Sequence, residues 1–131
     1  MREIKFRAWH NGIMNYFKSH KSGILYYCEE MILSSGYDSY DRPTFNGDPE
    51  FELMQYTGLK DSKGVEIYEG DIVSISIYQP PAEYCGEETY EVCFSEAWAS
   101  FGLTDGGAFW RMKEIGEPKV IGNIYENPEL L

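Results

Sequence analysis

The sequence predicts an all-β fold, in which an N-terminal hairpin subdomain is followed by a small barrel. Two observations carry this prediction. Apolar and polar residues alternate in several short segments, and turn-forming Gly, Pro, Asn and Asp residues separate those segments. Five or six short strands with turns between them are typical of a small barrel. With 131 residues, the chain is expected to form one compact unit, divided into a hairpin subdomain at 1–50 and a barrel at 51–131.

The first element is a hairpin. Ile4, Phe6 and Ala8 alternate with charged residues, which predicts a half-buried strand over 2–10. Asn11-Gly12 follows, and this dipeptide favours a two-residue turn because both turn positions need a positive φ. A second strand is therefore expected over 13–18. The implied register places Phe6 opposite Phe17 and Ala8 opposite Asn15 on a core face, with Arg7 opposite Tyr16 and Trp9 opposite Met14 on a partly exposed face.

The next two segments are less regular. Residues 24–33 fit either a strand or one helical stripe, and their aromatic and β-branched residues favour a strand. Residues 34–50 are rich in Ser, Gly, Asp and Pro and predict a loop. A loop of that length is expected to be functional or to lie at a boundary between subdomains.

The remaining sequence predicts the barrel. Strands are expected over 51–57, 65–68, 72–78, 89–95, 108–115 and 119–124. Turns are expected at 58–64 and 69–71, a loop at 79–87, and a loop or hairpin tip at 97–107. In the third of these strands Val73, Ile75 and Ile77 are expected to be buried, and Ser74 and Ser76 to face water. Asn127 followed by Pro128 predicts a short helical turn capped by Asn127. The expected core residues of this half are Met54, Tyr56, Ile67, Ile72 and Val73.

Charge is unevenly distributed along the chain. The net charge is −11, yet residues 1–21 carry five Lys or Arg side chains and one Glu. These cations form a candidate basic patch of Arg2, Lys5, Arg7, Lys18 and Lys21. They are expected to offset the acidic body or a neighbouring subunit, because so acidic a body repels phosphate backbones and makes nucleic acid an unfavoured partner.

No chemistry-bearing motif stands out. His10 and His20 lack further soft ligands at zinc-site spacing, and neither a nucleophile elbow nor a phosphate-binding loop occurs. Cys85 lies among glutamates that would disfavour its thiolate. We therefore expect no catalytic residues, no metal and no cofactor, and interpret the protein as a non-enzyme.

The cellular setting is inferred from the same sequence. Three cysteines are an odd number, which fits a reducing cytoplasm better than a disulfide scaffold. No stretch is apolar and long enough to cross a membrane, and the first ten residues are not a secretory signal. A cytoplasmic protein without a membrane partner is expected.

Three blocks of the sequence stand out, namely REIKFRAW at 2–9, LMQYTGLKDSKGVEIYEGDIV at 53–73 and VIGNIYENPELL at 120–131. Together they resemble the YopX family of small proteins encoded by phages and prophages of low-GC Gram-positive bacteria. The sequence departs from the family pattern at His10, in its short first hairpin loop, and at 34–50 and 79–88. The resemblance implies a β-rich protein with an SH3-like barrel, from a family without an established biochemical activity.

Function is interpreted as binding. Eleven tyrosines exceed what a core of this size can bury, and Tyr is enriched at contact surfaces. Tyr37, Tyr40 and Phe45 lie in the polar loop 34–50 and form the candidate interaction surface. We expect a phage or prophage accessory protein that contacts an unidentified host or phage protein and that could also self-associate. The alternative is a nucleic-acid-related module, acting by weak binding through the basic hairpin or by acidic mimicry of DNA.

Overall fold

A computed structural model describes residues 3–19, 26–28, 31–33, 50–79, 81, 83–114 and 116–131. The backbone alone is described at 18–19, 26–28, 31–33 and 79. The strands are β1 (Phe6–His10), β2 (Ile13–Tyr16), β3 (Lys18–Ser19), β4 (Tyr26–Cys28), β5 (Met31–Leu33), β6 (Glu52–Lys60), β7 (Glu66–Tyr68), β8 (Asp71–Gln79), β9 (Glu83–Ser95), β10 (Ser100–Thr104), β11 (Phe109–Arg111) and β12 (Lys119–Asn123). A 3-10 turn over Pro128–Leu130 ends the chain, and no α-helix occurs in the ranges given above.

The chain divides into two compact units, Met1–Tyr56 and Thr57–Leu131. Strand β6 crosses this division, so its first half belongs to one unit and its second half to the other. The strand pairs β1–β2, β1–β6, β3–β4, β4–β5, β8–β9, β8–β12, β9–β10 and β10–β11 are all antiparallel. The predicted β-rich fold is therefore confirmed, and one of the sheets is curled into a half-barrel.

The first unit is built on the predicted hairpin. Strand β1 pairs with β2 on one side and with the first half of β6 on the other. Asn11 and Gly12 have φ values of 51° and 75°, as a two-residue turn requires. The observed register is the predicted one, with Ala8 opposite Asn15 and Trp9 opposite Met14. The segment 24–33 contributes β4 and β5, which form a three-stranded sheet with β3.

Two burial predictions for this hairpin are wrong. Arg7 was expected on the partly exposed face, yet only 3% of it is exposed. It lies between Tyr16 of β2 and Met54 of β6 in the register, and its guanidinium carbon is 6.0 Å from the Tyr16 ring centroid. Ile4 was expected on the buried face of the strand and is 49% exposed, because it precedes the first residue of β1 and so lies outside the paired strand.

The second unit is centred on a five-stranded sheet with the order β11-β10-β9-β8-β12. Its core is one cluster on the inner face of that sheet and on β7, made of Ile67, Val73, Ile75, Tyr90, Val92 and Leu103. All five residues predicted as core, including Met54 and Tyr56 of the first unit, are buried. Ser74 is buried as well, although the alternation of apolar and polar residues in β8 had predicted that it would be exposed to solvent.

Three segment predictions for this unit are wrong in extent. A turn was expected from Gly58 onward, but strand β6 continues through this residue to Lys60. Gly58 has a φ of 87° within the strand. Strand β9 begins at Glu83, inside the predicted loop 79–87. Strand β10 lies within the Gly-rich segment 97–107. There Gly102 is required because a β-carbon would lie 2.2 Å from the Trp110 carbonyl oxygen and 2.4 Å from the Phe109 ring.

The turns are held by buried polar side chains. Asp71 Oδ2 accepts a hydrogen bond from the Tyr68 amide at 2.8 Å, and Gly70 has a φ of 82°, as the predicted corner at 69–71 requires. Asn123 Oδ1 accepts from the Tyr125 and Glu126 amides. The helical turn at 128 is present, but Asn127 does not cap it, because its Oδ1 accepts from the Asn123 amide at 3.3 Å.

Asp61 links the first turn of this unit to its last strand. Its Oδ1 accepts from the Lys63 and Val65 amides, each at 2.9 Å, and its Oδ2 accepts from the Val120 amide at 3.1 Å. Burial alone would raise the pKa of this carboxyl group. The three amide donors and the positive charge of Lys63 outweigh burial and lower the pKa below its usual value.

Candidate functional site

The candidate site is a two-stranded ribbon in the second unit, formed by residues 75–79 of β8 and 83–90 of β9, which we call the arm. Strand β12 pairs with β8 only at residues 71–74, and β10 pairs with β9 only at residues 91–95. Among the described residues, the arm therefore has no strand on either side. The sheet narrows from five strands to two at this point. Since no described strand pairs with the outer edge of residues 83–90 of β9, the backbone groups of that edge are suited to pairing with an extended segment of another chain.

The arm contains a β-bulge at Cys85. Ile77 is opposite Gly86 while Tyr78 is opposite Tyr84, so Cys85 is the extra residue on β9. Gly86 has a φ of 115°, a backbone conformation that residues other than glycine rarely adopt. A bulge re-aims the side chains beyond it. In this arm the residues that follow the bulge toward the tip are the facing pair Tyr78 and Tyr84.

The two tyrosine rings form an exposed aromatic pair. Their centroids lie 5.9 Å apart with an interplanar angle of 63°, which is an edge-to-face contact. Tyr78 is 63% exposed and Tyr84 is 59% exposed. Exposed aromatic side chains of this kind bring both apolar area and a hydroxyl group to a contact surface. The pair is therefore suited to binding rather than to packing within the unit.

The base of the arm is anchored in the core, and the arm carries a high density of acidic side chains. Ile75 is fully buried, and Ile77 packs against the core cluster. Tyr90 donates a 2.6 Å hydrogen bond to Glu88 Oε2; this bond, together with burial and the nearby carboxylates, raises the pKa of Tyr90 to about 12. Residues 75–91 include four glutamates and no lysine or arginine.

A second aromatic surface lies in the β9–β10 hairpin. Trp98 is 60% exposed, and the guanidinium carbon of Arg111 lies 5.0 Å from its ring centroid. Phe94 and Phe101 form an edge-to-face pair at 5.2 Å on facing positions of the same hairpin. Trp98 already has a cation over its ring, which distinguishes it from the tyrosines of the arm.

The predicted site residues are placed as follows. Tyr37, Tyr40 and Phe45 lie outside the described residues, so the candidate interaction surface at 34–50 stays a prediction. Arg2 and Lys21 also lie outside them, and Lys18 is described only by its backbone in β3.

The two remaining cations of the predicted basic patch are engaged within the first unit. The Nζ of Lys5 lies 3.3 Å from Glu3 Oε1 and 5.6 Å from the Tyr56 ring centroid. Arg7 is buried and lies over Tyr16. The described part of the hairpin therefore presents little unpaired positive charge.

Other chemistry is sparse in the described part of the chain. A surface cavity of about 520 Å³ in the first unit is lined by Trp9, His10, Asn11, Glu50, Phe51 and Glu52. No cluster of three or more His, Cys, Asp or Glu side chains suited to a metal ion occurs among the residues described. Burial and the charges of Glu91 and Glu69 raise the pKa of the Cys93 thiol. Within those same ranges, no helix has the length and hydropathy to cross a bilayer.

The sequence predictions missed the arm because they ended β8 at residue 78 and began the next strand at residue 89. Pro80-Pro81 and the glutamates at 83, 87 and 88 have low β propensity and hid the strand. The signal that could have found it is the near-symmetric IYQPPAEY, in which a tyrosine flanks the prolines on each side. Strand pairing across the two prolines, rather than local propensity, extends the ribbon.

These features define a small all-β protein whose most distinctive described surface is an acidic ribbon with an exposed tyrosine pair. The chain belongs to the YopX family, since the family model described as YopX protein matches residues 5–131. It is similar to protein EF1440 from Enterococcus faecalis, whose crystal structure matches with a TM-score of 0.57 and 26% sequence identity. That match covers 100% of this chain and 99% of the other. No curated protein matches this chain. The family resemblance read from the sequence is confirmed.

Proposed function

We propose that this protein is a non-enzymatic phage or prophage accessory protein that acts by binding another protein in the cytoplasm of the host bacterium. The observation that carries the proposal is the exposed Tyr78–Tyr84 pair on the arm. Each ring is about 60% exposed and so forgoes part of the roughly 1.5–3 kcal/mol that full burial of a large apolar side chain provides, and a partner can recover that part. Binding energy at interfaces is concentrated in such Tyr and Trp side chains.

The placement of the family-like residues supports the same proposal. Asp61, Gly70, Asp71 and Asn123 belong to the blocks that resemble YopX, and all of them hold turns or strands together. Their polar atoms are used inside the unit and are not presented to a substrate. The arm lies in the segment 79–88 and its flanks, outside those blocks. A shared scaffold with a separate contact surface is what a binding protein requires.

Direct nucleic-acid binding has less support. Of the predicted basic patch, Lys5 and Arg7 are the side chains described, and both contact groups of their own unit. Acidic mimicry of DNA remains the second candidate, favoured by the four glutamates and absence of cations over residues 75–91. It is a form of protein binding and predicts competition with DNA for the same partner.

Affinity capture from host lysate tests the proposal. The baits are the wild-type protein, Y78S/Y84S, the triple variant Y37S/Y40S/F45S of the loop 34–50, and W98S as a control on another exposed ring. We expect the wild type and W98S to retain one or more proteins that Y78S/Y84S loses, with or without nuclease. Loss with the triple variant alone would assign the surface to the loop instead. Retention that nuclease abolishes, or that is equal for all four baits, would overturn the proposal.

A further inference from the structure

One face of the arm is defined by the strand register. Residues that face each other across an antiparallel pair share a face, and alternate residues along a strand do so as well. Tyr78 opposite Tyr84, Ser76 opposite Glu87 and Ser74 opposite Thr89 therefore form one stripe. Ile75 and Ile77 point to the opposite face, which packs on the core. The stripe thus joins two exposed rings to the carboxylate of Glu87, with only small polar side chains between them.

The rings of this stripe differ from other aromatic rings of the chain in one respect. Lys5 lies over Tyr56, Arg7 over Tyr16 and Arg111 over Trp98, at 5.0–6.0 Å from the ring centroids. Among the described residues no cation lies over Tyr78 or Tyr84, and residues 75–91 supply none. The faces of the two rings carry negative electrostatic potential, and the neighbouring glutamates add to it.

A second copy of the chain is a poor occupant of this face. Two arms brought together would bring six glutamates close to one another, in a protein with a net charge of −11. A cationic segment would instead gain both Coulomb attraction to the glutamates and cation–π contact with the rings. Arginine suits this face better than lysine, because its planar guanidinium stacks on rings and pairs with carboxylates in two-pronged fashion.

We infer that the tyrosine face of the arm docks an arginine-rich segment of a partner protein, with guanidinium groups over Tyr78 and Tyr84 and paired with Glu87. This inference rests on the proposed function and names the chemistry of the partner. The occupant is recognised by its charge and its planar cation, and the open edge of β9 favours an extended conformation of the bound segment.

Fluorescence anisotropy with labelled peptides of nine arginines, nine lysines or nine glutamates tests the inference on the full chain. Any polycation is attracted to an acidic protein, so the variants must separate the face from the general charge. Y78A/Y84A removes both rings without changing the charge, and Y78F/Y84F keeps the rings. E83Q/E87Q removes two charges from the arm, whereas E126Q/E129Q removes two charges from exposed positions near the C-terminus.

The expected result is a set of differences in Kd. Nona-arginine binds at least threefold more tightly than nona-lysine, and nona-glutamate does not bind. Y78A/Y84A weakens nona-arginine binding by fivefold or more, whereas Y78F/Y84F changes it by less than twofold. E83Q/E87Q weakens binding by at least three times as much as E126Q/E129Q.

Equal weakening by the two charge pairs, or an unchanged Kd for Y78A/Y84A, would overturn the inference. Circular dichroism and the urea midpoint of each variant establish that the fold is retained, which is expected because both rings are exposed. If these peptides fail to distinguish the face while Y78S/Y84S still loses its partner from lysate, the partner is of another chemistry and the proposed function survives. If the lysate capture fails as well, both fall.

Discussion

Replacement of Asp61 by asparagine removes at least one of the three backbone hydrogen bonds that the carboxylate accepts. The carboxylate accepts from the Lys63 and Val65 amides through Oδ1 and from the Val120 amide through Oδ2. An asparagine has one oxygen and one NH₂ group. In either orientation, at least one buried backbone N–H then faces a donor instead of an acceptor. Asp61 is only 6% exposed, so water cannot readily replace the lost bond.

The expected cost of Asp61→Asn is about 2–4 kcal/mol of unfolding free energy at pH 7. This range combines the about 1.5–3 kcal/mol of a hydrogen bond to a charged group with part of the about 1–3 kcal/mol that an unsatisfied buried donor costs, because the Val120 amide is only partly buried. Urea unfolding measures the effect as a shift in midpoint at constant m-value. The matched control is Asp105→Asn. Asp105 is exposed and its Oδ1 alone accepts from the Gly107 and Ala108 amides, so an amide oxygen can replace it and the urea midpoint should change little.

The pH dependence gives an independent check on the same residue. The pKa of Asp61 is lower in the folded protein than in the unfolded chain, where it is about 3.9. Its contribution to stability is therefore fully present above about pH 4 and is lost as the pH falls toward the folded pKa. The difference between the wild type and Asp61→Asn should shrink below pH 4. A cost at pH 7 no larger than that of Asp105→Asn would refute the assigned role of Asp61 as a link between its turn and β12.

Three further outcomes follow from other parts of the chain. Because the pKa of Tyr90 is raised to about 12 in the fold, the unfolded chain ionises first as the pH rises. Unfolding free energy should therefore fall by roughly 3 kcal/mol between pH 10 and 12, and Tyr90→Phe should remove that part of the alkaline loss in urea titrations. Gly102→Ala should destabilise by roughly 2–4 kcal/mol because its β-carbon would meet the Trp110 carbonyl oxygen, whereas Gly107→Ala, with only a 3.6 Å contact, should change the urea midpoint little. Band shifts at low salt should show no retardation of DNA or RNA by the full chain; retardation that disappears at physiological salt would instead favour direct binding through the basic segment.

The local chemistry of the turns was readable in the sequence. Asn11-Gly12 predicted the hairpin, its length and its register, because the positive φ of both residues is a property of those two residues alone. The corner at 69–71 was predicted from Gly70, and the helical turn at 128 from Pro128 at its first position. The alternation of β8 identified the buried side of the sheet through Val73 and Ile75. In each case the determining groups lie within a few residues of one another.

What depends on distant partners was decided only by the tertiary structure. The bond from Val120 to Asp61 spans 59 residues, and no local pattern announces it. Arg7 and Ser74 are buried although their own strands present them as polar positions, because burial is set by the surfaces that pack against a residue. The arm forms because residues 75–79 pair with the glutamate-rich segment that follows Pro80 and Pro81. This pairing extends β8 and β9 beyond the strands β12 and β10 that lie beside them. Local residue patterns were therefore enough to predict the fold class and its turns, whereas pairing over long sequence separations sets which tyrosines of the described strands are exposed.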